Sequence, residues 1–243
     1  LFDKVDGYAE VDVVEQARAY LDSKIDSGEL NVPSGVSFDF TGSYENQVRA
    51  TKRMRIVLPL ALMSIFVILY MQFKRTSTTA IVFSGIFVAW AGGFTLIWLY
   101  GQPWFMDFSI GSLNFREIFQ IHEINLSVAV WVGFLALFGI ATDDGVLIST
   151  YLDQQFEELK PTTRQEIQAA AILAGKRRIR PAMLTTATTL LALIPVLTST
   201  GRGADVMVPM AIPSFGGMLF AITNTFVVPV MYVILAERRL LKR

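Results

Sequence analysis

Five long apolar stretches dominate the pattern of hydrophobic and polar positions along this chain of 243 residues. A membrane-spanning helix needs about 20 mostly apolar residues to cross a hydrocarbon core of about 30 Å. The pattern therefore predicts a mainly α membrane protein with five transmembrane helices. We place these helices at about 56–73, 79–100, 126–152, 181–200 and 206–236.

The segment 1–54 is more polar and is typical of a soluble domain. Residues 1–13 and 36–40 have a strand-like pattern, and apolar residues at 14–25 recur at helical spacing. This β-α-β unit buries too little apolar surface to fold alone. We therefore expect residues 1–54 to end a larger soluble domain and 55–243 to form the transmembrane domain. Because the sequence opens without Met or a signal peptide, we expect a fragment, a processed chain or a truncated sequence.

Lysine and arginine are distributed unevenly between the two sides of the predicted helices. One side holds Lys74, Arg75, Lys160, Arg164, Lys176, Arg177, Arg178, Arg180, Arg238, Arg239, Lys242 and Arg243. The loops on the other side hold only Arg116 and Arg202. Because basic loops stay in the cytoplasm, we expect a multi-pass inner-membrane protein surrounded by lipid. Its N-terminal segment is then periplasmic and its C-terminus cytoplasmic.

The composition argues against several functional classes. Hydrophobic residues make up 53% of the chain and charged residues 17%, and the net charge of +0 gives no basic surface for nucleic acid. Cysteine is absent, which excludes disulfides and thiolate metal sites. The single histidine, His122, lies outside the predicted helices beside Glu123, and such a pair does not make a metal site. With no glycine-rich nucleotide motif either, we expect neither an enzyme nor a resident cofactor.

Asp143 and Asp144 are the only formally charged residues in the third predicted helix. Asp143 lies about 6 Å of helix rise from the middle of that helix, where an acid costs roughly 2.5 to 3.5 kcal/mol on insertion scales. Such acids usually face a bundle interior or a wet cavity in a transport path. Adjacent carboxylates also resist ionising together, so one of the two can hold a proton. We predict a proton relay in which one of the two acids, Asp143 or Asp144, faces the bundle interior; capping or hydration of a kinked helix is the alternative.

The fourth predicted helix is rich in threonine, and Thr185 and Thr189 share one face. They either make ordinary interhelical hydrogen bonds or form a polar wall that faces Asp143. Because no Lys or Arg lies within the predicted helices, hydroxyl groups are the expected partners of the acid. Nine methionines offer thioether ligands for Cu(I) or Ag(I), although methionine in membrane helices usually serves packing. Loop 101–124 is rich in aromatic residues and suits an interfacial segment.

Several segments together resemble the C-terminal half of the inner-membrane pumps of the resistance-nodulation-division superfamily. They are GIATDDGVLISTYL, GKRRIRPAMLTT, LIPVLTSTG and ADVMVPMAIPSFGGM. The nearest branch is heavy-metal efflux, which comprises the copper/silver and cobalt/zinc/cadmium exporters. The resemblance covers nearly the whole chain, and only loop 101–124 departs from it.

The resemblance implies that the five helices are the last five of twelve and that residues 1–54 end a periplasmic porter domain. It also implies a homotrimer that exchanges protons for metal ions and joins a periplasmic adaptor and an outer-membrane channel. By position, Asp143 matches a buried acid of the proton relay, so the resemblance implies that Asp143 is the acid that faces the bundle interior. Met207 matches a methionine of the metal relay. The relay lysine of the family is matched by Ala182, and Asp144 stands where the family has an apolar residue. The local counter-charge is therefore not identified.

Three functions stay open from the sequence. The chain belongs to a heavy-metal exporter, to an exporter of drugs or lipids with the same engine, or to a non-transporting scaffold built from a degenerate half-pump. Met207 alone does not separate Cu(I) and Ag(I) from Zn(II), Co(II) and Cd(II) or from an organic substrate. Intramembrane aspartates in an upstream half would favour transport.

Overall fold

The computed structural model describes residues 10–33, 36, 43–111 and 113–240. Within these ranges the chain forms eight α-helices and one short hairpin. The elements are α1 (Glu10–Asp26), α2 (Ser43–Phe73), α3 (Thr76–Tyr100), β1 (Ser109–Ile110), β2 (Leu113–Asn114), α4 (Phe115–Ile118), α5 (Val128–Leu159), α6 (Arg164–Leu197), α7 (Ala204–Ala221) and α8 (Asn224–Leu240). The mainly α fold predicted from the hydropathy pattern is confirmed.

In the described part of the chain, five helices are long and apolar enough to cross a membrane, namely α2 from Val48 onward, α3, α5, α6 and α7. The predicted number of transmembrane helices is therefore confirmed. Helix α1 overlaps the helix predicted within the N-terminal β-α-β unit. The two strands predicted beside it lie outside the described residues, except for Val36, which belongs to no regular element.

The predicted helix 206–236 is divided into α7 and α8, which are separated by Ile222 and Thr223. At the start of α8 the amide Nδ2 of Asn224 donates a hydrogen bond to the carbonyl of Gly85 in α3, at 3.1 Å. Side chains of this kind compete with the helical backbone for hydrogen bonds. A short polar segment therefore interrupts a stretch that hydropathy alone assigns to one helix.

Helix α6 extends further toward its N-terminus than the sequence predicted. It begins at Arg164, where Thr163 and Glu166 form a capping box, and it continues through Pro181. The helix therefore begins 17 residues before the start predicted at about residue 181. Proline removes one backbone donor, but neighbouring groups can satisfy the freed carbonyl in a membrane helix. As a consequence, Arg178 lies on a transmembrane helix instead of in a loop.

Helix α5 lies at the centre of the bundle and contacts α2, α3, α6, α7 and α8. Its first half supplies the core side chains Val130, Phe134, Leu137, Phe138 and Ala141. They pack against Ile86 and Ala89 of α3 and Met218 of α7. Close packing of this kind allows few alternative rotations of the helix. It therefore fixes the directions of the two acids that follow on α5.

Helices α3 and α7 approach each other through glycine residues. A Cβ atom on Gly92 would lie 2.7 Å from the carbonyl oxygen of Gly216, and a Cβ atom on Gly216 would lie 2.7 Å from that of Gly92. On α5, a Cβ atom on Gly133 would lie 2.8 Å from Cγ of Pro213 in α7. Small residues allow membrane helices to pack this closely. Helices α3, α5 and α7 therefore form the inner layer. Helices α2 and α6 lie further out, since only 11% of the most hydrophobic 18-residue segment of each is buried.

Loop 101–124 folds against the adjacent ends of α3, α6 and α7. The guanidinium of Arg116 donates a hydrogen bond to the carbonyl of Pro103 at 2.7 Å. The ring of Phe115 stacks between those of Phe108 and Phe119, with centroid distances of 4.6 and 6.5 Å. The described residues of the loop thus cover one end of the bundle, and its interfacial role stays a prediction.

Candidate functional site

A carboxylate and a guanidinium face each other between α5 and α6. Atom Nη2 of Arg178 lies 3.4 Å from Oδ1 of Asp144, and the exposed fractions of the two side chains are only 15% and 18%. Asp144 lies next to buried Gly145 on α5. An ion that leaves water loses hydration energy, and an opposite charge nearby offsets part of that loss. The pair is therefore the main electrostatic contact between these two membrane helices within the described residues.

The residues of α6 that face Asp144 of α5 recur at every fourth position. Arg178, Ala182 and Thr186 share the face that points toward α5, because residues at i and i+4 are neighbours on a helix. Ala182 is buried, and Oγ1 of Thr186 lies 3.0 Å from the carbonyl of Ala182 and 3.5 Å from Oδ2 of Asp144. Ala182, which the resemblance matches to the relay lysine of the family, thus places a buried methyl group at this position. A cation lies one helical turn earlier on the same face.

Asp143 and the two threonines predicted to face it are not joined to each other within the described helices. The side chain of Asp143 is exposed on the described helices, because adjacent residues on a helix diverge by about 100°. Thr185 is exposed and donates to the carbonyl of Pro181 at 3.0 Å, while Thr189 donates to the carbonyl of Thr185 at 2.8 Å. No hydrogen bond joins Asp143 to Thr185 or Thr189 among the described residues, and their predicted contact stays a prediction. Asp144 makes the described contact between α5 and α6.

Arg178 can bind a second acceptor. Its Nε atom is buried and has no hydrogen-bond partner among the described residues. A guanidinium group has five N–H donors, and Asp144 is contacted through a single nitrogen. Arg178 therefore has donors left for a second acceptor while it contacts Asp144.

Met207 lies in the first turn of α7, and 43% of its surface is exposed. Its backbone N–H donates to the carbonyl of Gly203 at 3.0 Å. Among the described residues, no group of three or more His, Cys, Asp or Glu side chains could hold a metal ion. Met207 is thus accessible as a single thioether, and its predicted metal contact stays a prediction.

Arg178 and Thr186 are the two residues of this site that the sequence analysis missed. Both lie at a spacing of four from Ala182, on either side of it, and this spacing was visible in the sequence. It was overlooked because Pro181 was treated as the start of a helix. Once the helix is continued through Pro181, the same periodicity brings Arg178 onto the face of Ala182.

Comparison with known proteins agrees with this arrangement of helices. The sequence profile of the AcrB/AcrD/AcrF family matches residues 10–115 and 119–236. The cation efflux system protein CusA of Escherichia coli (strain K12) is 32% identical over 211 residues, which are 84% of this chain and 18% of that protein. The cobalt-zinc-cadmium resistance protein CzcA of Cupriavidus metallidurans is 28% identical over 220 residues, 90% of this chain and 18% of that protein.

A solved structure is similar as well. The crystal structure of a heavy metal efflux pump matches with a TM-score of 0.64 and 25% identity, and the match covers 95% of this chain and 20% of that one. The chain therefore spans about a fifth of the length of that pump. Its share of the two curated relatives is slightly smaller, at 18% of each.

Proposed function

The chain belongs to the AcrB/AcrD/AcrF family, and from this premise we propose that it is part of a proton-driven exporter of heavy-metal cations in the inner membrane. The observation that supports the proposal most directly is the contact of Asp144 with Arg178 between two membrane helices. Ionisable residues inside a membrane are costly and mark ion or proton paths. The relatives named for cation efflux and for cobalt, zinc and cadmium resistance support the substrate class.

In this proposal Asp143 is the carboxyl that binds and releases the transported proton. Asp143 and Thr185 are exposed on the described helices, and Thr189 is half-buried. An acid within a membrane requires polar partners or water. The helices of an N-terminal half, which the resemblance implies, would supply these partners together with the threonine hydroxyls.

Asp144 and Arg178 have a different role, in which they remain paired. Arg178 replaces the relay lysine that is absent at position 182, because it lies one turn from Ala182 on the same face of α6. Its buried Nε atom has no hydrogen-bond partner among the described residues, which leaves a donor for a further acceptor. Protonation of Asp143 next to this fixed pair changes the local charge by one unit. A local charge change of this kind can shift a conformational equilibrium, as a transport cycle requires.

Met207 is proposed as a thioether station for a soft metal ion. Replacing Met207 by Ile keeps an apolar side chain and removes the sulfur, so we expect lower tolerance of cells to Cu(I) or Ag(I) at unchanged protein level. Met231, an exposed methionine on α8, provides the matched control, and Met231→Ile should leave tolerance unchanged. Unaltered tolerance in the Met207→Ile strain would return Met207 to a packing role.

The assembly follows from the same proposal. Residues 1–54 end a periplasmic porter domain, residues 55–243 form half of a transmembrane domain, and the C-terminus is cytoplasmic. The complete pump is a homotrimer that joins a periplasmic adaptor and an outer-membrane channel. The uneven distribution of Lys and Arg supports the orientation, and family membership supports the assembly.

Reconstitution of the complete protein into vesicles tests the function. With a proton gradient imposed, we expect added Cu(I), Ag(I) or Zn(II) to move across the membrane while protons move the opposite way, with saturable rates. An exporter of drugs or lipids would couple protons to the organic substrate and leave the metal in place. A degenerate scaffold would move neither, and each of these two results would contradict the proposal.

A further inference from the structure

Loop 101–124 carries a hairpin with one apolar face. Strands β1 and β2 pair antiparallel, so that Ile110 lies opposite Leu113 and Ser109 lies opposite Asn114. Side chains of paired residues lie on the same face of a hairpin, and successive residues along a strand alternate between the two faces. Ile110 and Leu113 therefore share one face, and Ser109 and Asn114 share the other.

The apolar face continues to the aromatic base of the hairpin. Phe108 and Phe115 lie two positions before Ile110 and two positions after Leu113, which is the spacing of residues on one face of a strand. The backbone N–H of Phe115 donates to the carbonyl of Phe108 at 3.3 Å, and the two rings stack at a centroid distance of 4.6 Å. These four apolar side chains form one continuous surface, which we call the hairpin face.

The hairpin face is largely uncovered by the described residues. The exposed fractions are 63% for Ile110, 56% for Leu113 and 50% for Phe108. The opposite face is polar, and there the side-chain oxygen of Asn114 accepts a hydrogen bond from the N–H of Arg116 at 2.9 Å and caps α4. The polar face is thus used within the loop, whereas the hairpin face is open to a partner.

The hairpin lies at the level of the helix ends. Helix α3 is about 36 Å long at the helical rise, so it crosses a hydrocarbon core of about 30 Å and its last turn reaches the interfacial layer. The ring of Tyr100, which ends α3, lies 5.9 Å from that of Phe105. Phe119 packs on the same cluster as Tyr100 and Leu197 of α6, and its ring lies 6.5 Å from that of Phe115. One ring contact therefore joins the base of the hairpin to the cluster at the helix ends.

Two exposed tryptophans mark the same level. Trp98 lies in the last turn of α3 and Trp104 lies in the loop, and their exposed fractions are 59% and 61%. Tryptophan is enriched at membrane–water interfaces, where its apolar ring meets lipid and its N–H meets water. Ile110 and Leu113 have no polar group, and apolar side chains at this level gain most by contact with the acyl chains. Lipid is therefore the occupant that fits the hairpin face.

The charge of the loop argues against attraction to anionic headgroups. Its formally charged residues are Asp107, Arg116, Glu117 and Glu123. Three acidic residues against one basic residue give the loop a net charge of −2. The guanidinium of Arg116 already donates to the carbonyls of Gln102 and Pro103. Contact with a membrane must therefore come from apolar area and not from headgroup charge.

We propose that the hairpin face inserts into the periplasmic leaflet, with Ile110 and Leu113 in contact with the acyl chains. Ser109 and Asn114 on the opposite face then point toward water. Composition indicates only that this loop suits the interface, whereas the hairpin face assigns which side chains enter lipid. The choice of the periplasmic leaflet rests on the proposed orientation, but the contact with lipid depends neither on that orientation nor on metal export.

Fluorescence quenching tests this contact in the complete protein, reconstituted into phosphatidylcholine vesicles. The single-cysteine variants Ile110→Cys and Ser109→Cys carry the same environment-sensitive fluorophore, and any cysteine elsewhere is replaced first. With nitroxide groups on the acyl chains, the label at position 110 should lose most of its fluorescence, whereas the label at position 109 should keep most of its own. Iodide in the water should give the reverse order. Ser109 is the matched control, because it lies in the same strand on the opposite face.

A charge placed on either face tests the insertion of the hairpin. In the labelled Ile110→Cys protein, Leu113→Asp should move the label from quenching by lipid to quenching by iodide. Asn114→Asp adds the same charge to the opposite face, keeps an oxygen that can cap α4, and should leave the quenching unchanged. Adding phosphatidylglycerol to the vesicles should also leave it unchanged, because the contact does not use headgroup charge.

Three results would overturn the proposal. Strong quenching of the label at position 110 by iodide would show that the hairpin face lies in water. A label that neither quencher reaches would show that protein covers this face. Equal quenching at positions 109 and 110 would show that the hairpin has no lipid-facing side. If Leu113→Asp does not insert into the membrane, the comparison of Ile110→Cys with Ser109→Cys decides.

Discussion

Asp144 and Arg178 lie mostly out of solvent, so each depends on the other for compensation of its charge. Removing one partner leaves the other charge buried and unpaired, which costs 3–5 kcal/mol at well-buried sites. Because both side chains keep some exposure, at 18% and 15%, we expect the lower value. Arg178→Gln and Asp144→Asn should each lower the free energy of unfolding by about 3 kcal/mol.

A double-mutant cycle separates this pairing from simple loss of packing. The double variant should be less destabilised than the sum of the single variants by about 1 kcal/mol or more, because it leaves no unpaired charge. Equilibrium unfolding in mixed micelles measures all four proteins. Exposed Arg180→Gln is the control and should lie within about 0.5 kcal/mol of the parent. Additive losses would show that the two side chains do not interact.

Asp143 should have the opposite profile, with little effect on stability and a large effect on transport. Its side chain is exposed on the described helices, so Asp143→Asn removes titration while the helix packing is unchanged. We expect proton-coupled export to be lost in reconstituted vesicles, with stability within about 0.5 kcal/mol of the parent. Asp143→Glu keeps a titrating group and should retain part of the export. Wild-type export by Asp143→Asn would refute its role in the relay.

The sequence identified Asp143 and Asp144 as candidate site residues, but it did not show the directions in which their side chains point. Two charges in a long apolar stretch are visible to any hydropathy analysis. Which of two adjacent residues faces the bundle depends on the rotation of α5, and that rotation is set by contacts such as Phe134 with α3 and α7. These contacts join residues far apart in the chain. The choice of Asp143 as the interior acid followed family position and could not take them into account.

At the scale of elements, glycine decides how closely α3 and α7 pack. A Cβ atom on Gly216 would lie 2.5 Å from Cβ of Leu96 and 2.7 Å from the carbonyl oxygen of Gly92. Because a backbone carbonyl cannot move aside easily, Gly216→Ala should destabilise the protein by about 1–3 kcal/mol. Gly139 on α5 is the matched control, since a Cβ atom there would have nothing within 4 Å. Gly139→Ala should be neutral or stabilising by up to about 1 kcal/mol.

Thermal unfolding of the two alanine variants in the same detergent tests this prediction. Equal melting temperatures for Gly216→Ala and Gly139→Ala would mean that α3 and α7 can separate at no cost. Such a result would also argue against the inner layer of α3, α5 and α7 as a rigid unit.

The number of membrane helices could be predicted because length and hydropathy are local properties of the sequence. The start of α6 and the break between α7 and α8 could not be predicted in this way. Hydropathy treated Pro181 as a start, although the backbone continues through it in α6. It also missed the break before Asn224, which is stabilised by a hydrogen bond to Gly85, 139 positions away. Both errors concern backbone hydrogen bonds that depend on tertiary neighbours.

The central helices of the molecule are well buried, whereas its outer helices are largely exposed. In α5 and α7, half of the most hydrophobic 18-residue segment is buried, whereas in α2 and α6 only 11% of that segment is buried. Asp143 and Thr185 are also exposed on these helices. In a membrane, such surfaces face lipid or further helices. An acid is not stable against lipid, so the position of Asp143 supports a pump in which a second set of helices covers it.

Membrane orientation is the property of the whole molecule that a single labelling experiment can decide. The loops joining α3 to α5 and α5 to α6 lie on opposite sides if the membrane helices are crossed in order, and Lys and Arg are concentrated on the side of the second loop. Single cysteines at two exposed positions, Ser109→Cys and Gln165→Cys, report the two sides. This chain has no native cysteine, and any cysteine elsewhere in the complete protein is replaced first.

We expect a membrane-impermeant maleimide to label Ser109→Cys in cells with a permeabilised outer membrane. Gln165→Cys should react only after the inner membrane is opened, because Lys160, Arg164 and the basic end of α6 hold that side in the cytoplasm. Labelling of the denatured proteins shows that both thiols are reactive. If Gln165→Cys were labelled in intact inner membranes while Ser109→Cys was protected, the orientation would be inverted. The proposed periplasmic placement of residues 1–54 and cytoplasmic placement of the C-terminus would then be wrong.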